Sequence, residues 1–174
     1  MRIARAAGLA VLLALLVWPE RGRIHAEREL SAATDALRYV LTHPGDLPDA
    51  PGALDRIAQV AAATETALPG DPRPVILEGS ARLVAGDGER ALAAYRRALA
   101  LGERAETDLN LARACERLGR EPAARAAYLR AAWVSPALLP VMLPDVAIRL
   151  TPEIARLEAE LARGALRAPP PLPD

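Results

Sequence analysis

The sequence predicts an all-α fold: a short solenoid of helix–turn–helix repeats, preceded by an apolar N-terminal helix and closed by a C-terminal capping helix. Three observations carry that expectation. Apolar residues recur at three- and four-residue spacing through most of the chain, and no stretch alternates as a strand does. Glycines and prolines interrupt these stripes at short intervals, so that neighbouring helices must run antiparallel. The chain also repeats itself. Shifted by 33 residues, Gly86 falls on Gly119, Ala91 on Ala124, Tyr95 on Tyr128 and Ala98 on Ala131.

Taken in order, residues 1–25 have the form of a signal anchor or signal peptide. Arg2 and Arg5 make a basic start, and an apolar run of 13 residues follows from Ala6 to Trp18 before Pro19. A helix of that length rises only about 20 Å, short of the roughly 30 Å hydrocarbon core, which suits the apolar region of a signal peptide. The next residues favour an uncleaved anchor. Glu20, Arg21 and Arg23 crowd the one plausible cleavage site, where Ile24 stands in place of a small residue. Trp18 suits a membrane interface. The expectation is a single-pass anchor through residues 3–18, with the remainder on the periplasmic side of a bacterial inner membrane. A cleaved signal and a soluble periplasmic protein form the alternative.

Residues 26–164 are expected to fold as the helical domain. The first helix, 26–42, carries its stripe at Leu30, Ala33, Leu37, Val40 and Leu41. Residues 43–52 form a proline-rich loop, and a second helix follows over 53–68. After "PGDPRP", four helices are expected at 75–85, 89–101, 105–118 and 121–134, joined by turns containing Gly86, Gly88, Gly102 and Gly119. Residues 135–145 are apolar and broken by prolines, as an irregular cap would be. Thr151 is the expected N-cap of the last helix, with Pro152 at its first position, Ile154, Leu157 and Leu161 on its apolar face, and Gly164 at its end. Residues 165–174 are a proline-rich tail, expected to be extended and mobile.

The repeated residues resemble the tetratricopeptide repeat, a helix–turn–helix unit of about 34 residues. The best copies are 72–104 and 105–138. In the second, Leu111 and Ala112 stand where the family has its first-helix core pair. Gly119 is the turn glycine, Ala124, Tyr128 and Ala131 are the small–aromatic–small set, and Pro136 closes the unit. The first copy departs from the pattern at Glu78 and Arg82, where apolar residues are expected, as though its first helix were rotated or shifted. Helix 53–68 resembles the second helix of a degenerate earlier unit, paired with 26–42. The resemblance implies a groove formed by the first helices that holds a protein or peptide. Carried over by position, its residues are Ile76, Ser80 and Leu83 from the first copy and Leu109, Asn110, Arg113 and Glu116 from the second.

Composition narrows the function further. The 22 basic side chains are all arginine and balance 22 acidic ones, so no net basic domain invites nucleic acid. That bias, with abundant alanine, leucine and proline, is the amino-acid usage expected of a GC-rich bacterial genome. Aromatic residues make up 3% of the chain, too few to stack bases. In "GERALAAYRRALALG", Arg90, Arg96 and Arg97 fall off the stripe of Ala91, Ala94, Tyr95 and Ala98 and face solvent. Cys115 is the only cysteine and sits at a core position. Ser31, Ser80 and Ser135 lack a nucleophile elbow, His25 and His43 lie far apart, and "GDGE" lacks the remaining ligands of a calcium loop. No catalytic residue, metal site, cofactor or small-molecule substrate is expected. The function expected is that of a membrane-tethered adaptor or assembly factor for an envelope complex. A structural accessory subunit of a larger membrane complex and a soluble periplasmic peptide-binding module are the alternatives.

Overall fold

The structure, a computed structural model, describes residues 2–166 and 168–173, with side chains from residue 20 onward. Among the described residues it holds seven α-helices and one 3-10 helix, with no strand. The helices are α1 (Arg2–Thr42), α2 (Ala50–Ala67), α3 (Pro72–Val84), α4 (Gly88–Leu101), α5 (Ala105–Arg117), α6 (Glu121–Val134) and α7 (Pro144–Ala162). The 3-10 helix, Pro136–Val141, lies between α6 and α7. Each helix packs on the next, so the chain forms consecutive hairpins.

Local sequence explains most of the boundaries. Asp49, Asp71 and Asp87 cap α2, α3 and α4, each accepting a backbone N–H of the first turn. Glycines at positive φ end α3 and α5 in the same way. Gly86 has φ +88° and Gly119 φ +68°. In both turns the residue after the glycine donates its N–H five residues back, Asp87 to Arg82 and Arg120 to Cys115, each at 2.9 Å. The 33-residue register read in the sequence is therefore one turn built twice.

Several boundaries differ from the expected ones. α2 runs Ala50–Ala67 rather than 53–68, taking in the end of the expected 43–52 loop, and α3 runs Pro72–Val84 rather than 75–85, because each begins directly behind its aspartate cap with a proline in the first turn, where a missing N–H costs nothing. The break expected at Pro19 is absent, because α1 is one helix from residue 2 to residue 42. A proline's φ is itself helical, and what it removes is one hydrogen bond. The last helix starts at Pro144, seven residues before Thr151, so Thr151 is no N-cap. Its hydroxyl donates to the Ala147 carbonyl at 2.8 Å, and Pro152 lies inside the helix. The carbonyl left unbonded belongs to Ile148, which is 71% exposed and can meet water. The expected apolar stripes also run too far at their ends. Leu41 and Leu161 are exposed, while the rest of both stripes is buried. The anchor expected through residues 3–18 rests on side chains outside the described residues. Among the described residues, no helix is long and apolar enough to cross a membrane.

The core falls mainly into an α1–α3 and an α4–α7 part, and Val75 of α3 packs on Ala94 and Ala98 of α4 between them. Tyr95 of α4 is 0% exposed and lies against Gly79 of α3. A Cβ on Gly79 would stand 2.8 Å from Cε1 of that ring, inside any tolerable contact. The glycine is therefore the space the tyrosine occupies. One repeat later Gly79 becomes Ala112, and there Tyr128 keeps its hydroxyl on Glu116 Oε2 at 2.8 Å. Glu78 and Arg82 need no shift of the helix to be explained. Glu78 accepts from Arg97 at 2.7 Å, Arg97 also reaches Glu65 at 3.2 Å, and Arg82 donates to Asp55 at 2.8 Å. The first copy replaces an apolar pair with ion pairs that link α2, α3 and α4.

Gly79→Ala would raise helix propensity by about 1 kcal/mol, but overpacking a rigid buried ring costs about 1–3 kcal/mol. Urea unfolding should show net destabilisation in the native background. In a Tyr95→Leu background the same substitution should become neutral or stabilising.

Candidate interaction groove

A groove of about 680 Å³ lies between α1, α3 and α5. It follows from how these helices use their faces. On α1 the stripe at Leu30, Ala33, Leu37 and Val40 is buried, which leaves Glu27, Ser31, Thr34 and Arg38, at spacings of four, three and four, along the groove. From α3 come Arg73, Ile76 and Ser80, and from the start of α5 come Arg104, Glu106 and Thr107. The apolar floor is Leu30, Leu37 and Leu77, with Ile76 half-buried beside them.

The polar groups are held locally. Arg73 bonds Glu27 across to α1 at 2.7 Å and Asp71 at 2.5 Å. The side-chain bond from Arg73 lowers the Asp71 carboxyl below its ordinary range. Thr34 and Ser80 donate their hydroxyl protons back to their own helices, to Leu30 at 2.8 Å and Ile76 at 2.9 Å. Their oxygen lone pairs remain as acceptors. Ser80 also meets the Tyr95 hydroxyl at 3.2 Å, and burial pushes that phenol up to about 12.

The seven groove residues expected from sequence do not share one surface. Ile76 and Ser80 line this groove. Leu83, Arg113 and Glu116 line a second, shallower cleft of about 470 Å³ with Val84 and Arg117. Asn110 is half-buried and accepts from Arg113 at 3.1 Å. Leu109 is 5% exposed and belongs to the core. The wall missed from sequence is α1. Its signal was the polar series 27, 31, 34 and 38 alongside the buried stripe, which becomes meaningful once 26–42 is the first helix of a hairpin.

The other singled-out residues are ordinary parts of the fold. Cys115 is buried, and burial raises its thiol. His25 lies 3.2 Å from Glu29, and His43 stacks on Tyr39 with ring centroids 4.4 Å apart. Arg90 and Arg97 are exposed and paired with acids, and Arg96 is exposed.

Described residues of the tail lie against the helices. Arg130 of α6 is gripped by both oxygens of Glu103 and donates Nη1 to the Pro170 carbonyl at 2.8 Å. Pro170 is buried, and Leu166 and Leu172 pack on the core. No described tail residue lines the α1–α3–α5 groove. Beside Arg130 lies Asp108, 0% exposed, with no hydrogen-bond partner for either carboxylate oxygen. Burial pushes its carboxyl up to about 7, Glu103 adds to the shift and Arg130 opposes it. No family model, curated protein or solved structure matches the chain.

Because Asp108 is harder to ionise folded than unfolded, its contribution to stability is complete below about pH 4. It declines as the pH rises to about 7 and is flat above. Asp108→Asn should flatten the pH dependence of urea unfolding between those limits and stabilise the protein at pH 8 by about 1–3 kcal/mol.

Proposed function

We propose that this chain is a non-catalytic, tetratricopeptide-like protein-binding module, held to a bacterial inner membrane through residues 3–18. Its role is that of an adaptor or assembly factor in an envelope complex. The observation that supports this reading is the α1–α3–α5 groove. An apolar floor bounded by hydroxyl acceptors and by charges of both signs suits an extended polypeptide, which offers apolar side chains and backbone N–H groups together. The zero net charge argues against a polyanion as ligand.

Photocrosslinking side chains placed at Thr34, Ile76 and Arg104 in cells should capture the same partner protein. A crosslinker at the exposed Glu121 of α6 should not. Equal capture from Glu121, or none from the groove, counts against the reading. The tether is checked separately: full-length protein should stay in carbonate-washed membranes, and a chain beginning near Glu27 and free in solution would remove it.

A further inference from the structure

The side of the α1–α2 hairpin away from α3 is uncovered. A groove of about 450 Å³ runs there between the two helices, with Ala33, Val40 and Ile57 at its base and the exposed Ala32 and Ala36 on its α1 wall. The lining is apolar except for Glu29 on α1 and Arg56 on α2. Tyr39, 46% exposed and stacked on His43, stands at its edge as an aromatic anchor would.

Within the stack, each hairpin covers such a face of its neighbour with another hairpin. The far end of the stack is closed. There the 3-10 helix, α7 and the tail bury Met142, Val146, Leu150 and Ile154 against α5 and α6. Among the described residues, the α1–α2 side is thus the one hairpin face of this kind without a cover. Its natural complement is another hairpin face that is equally apolar and of opposite charge pattern. A second copy of this chain supplies one.

Glu29 lies thirteen residues before the end of α1, and Arg56 lies in the second turn of α2. In an antiparallel hairpin that puts Glu29 about 20 Å and Arg56 about 9 Å from the loop that joins the helices, at different heights on the face. A two-fold relation then brings Glu29 of each copy to Arg56 of the other. Both side chains are exposed, with only weak local partners, His25 at 3.2 Å and Asp49 at 3.5 Å. The small side chains Ala32 and Ala36 permit close helix approach. Because the other end is capped, head-to-tail stacking is blocked and the assembly closes as a dimer.

We propose that the open α1–α2 face is the interface of a two-fold homodimer, in which Glu29 and Arg56 pair between copies around an alanine-lined apolar strip. This does not depend on what the α1–α3–α5 groove holds, since that groove stays open in the dimer.

The test is sedimentation equilibrium of the full chain in density-matched nonionic detergent, with helix content followed by circular dichroism. The native protein should give twice the 18.5 kDa chain mass. Ala36→Glu should weaken the dimer by about tenfold or more, with helix content unchanged. Glu29→Arg and Arg56→Glu should each weaken it, and the double reversal should restore it. A native chain that is monomeric at every concentration overturns the proposal and leaves the face to a different protein. A dimer indifferent to Ala36→Glu overturns it in favour of association elsewhere. A double reversal that stays monomeric overturns the two-fold pairing.

Discussion

The stack depends on one close approach. Tyr95 has no exposed surface because Gly79, on the neighbouring helix, offers backbone where any other residue would offer a side chain. That contact sets how near α3 and α4 lie and so fixes the shape of the α3–α4 hairpin. Apolar area alone would not do this. Alanine dominates these helix faces, and alanine buries little and discriminates poorly between registers. A large ring in a matched gap supplies the register that small residues cannot.

Around that contact the same construction recurs with altered chemistry. The glycine turns after α3 and α5 use identical hydrogen bonds 33 residues apart. The small residue opposite the tyrosine is glycine in one copy and alanine in the other. Where the second copy buries Leu111 and Cys115, the first carries Glu78 and Arg82, which join α3 to α4 and α2 through Arg97 and Asp55. Partly exposed ion pairs of this kind contribute modestly to stability, about 0–1 kcal/mol each. They do fix the orientation of α2, α3 and α4, while Arg73 and Glu27 tie α1 to α3 beside the groove.

Much of this was legible in the sequence because glycine, proline and aspartate punctuate it. The bounds of α6 agree to the residue with those expected, and those of α4 and α5 come within one residue, since each is framed by a turn glycine, an aspartate cap or a proline, whereas α2 and α3 each start three residues early. Legibility failed where one residue type has two meanings. Pro19 is a helix breaker on local grounds and Pro152 resembles a helix start, yet both lie inside helices. Thr151 resembles a cap and instead bonds back along its own helix. The groove was half legible. Ile76 and Ser80 face it, but Leu109 occupies the equivalent of Ile76 and is buried in the core, so the two copies do not present the same residues. Asp108 gave no signal at all, because the burial of a carboxylate is decided by how the helices pack and not by its neighbours in sequence.

The measurement that tests the account most directly is the proton NMR environment of Gly79. If Tyr95 fills the space beside it, the Gly79 Hα protons should show strong nuclear Overhauser contacts to the Tyr95 ring. At least one of them should also be shifted far upfield by the ring current. Gly79 Hα resonances at ordinary helical positions, with no contact to an aromatic ring, would contradict the packing on which the rest of the structure stands.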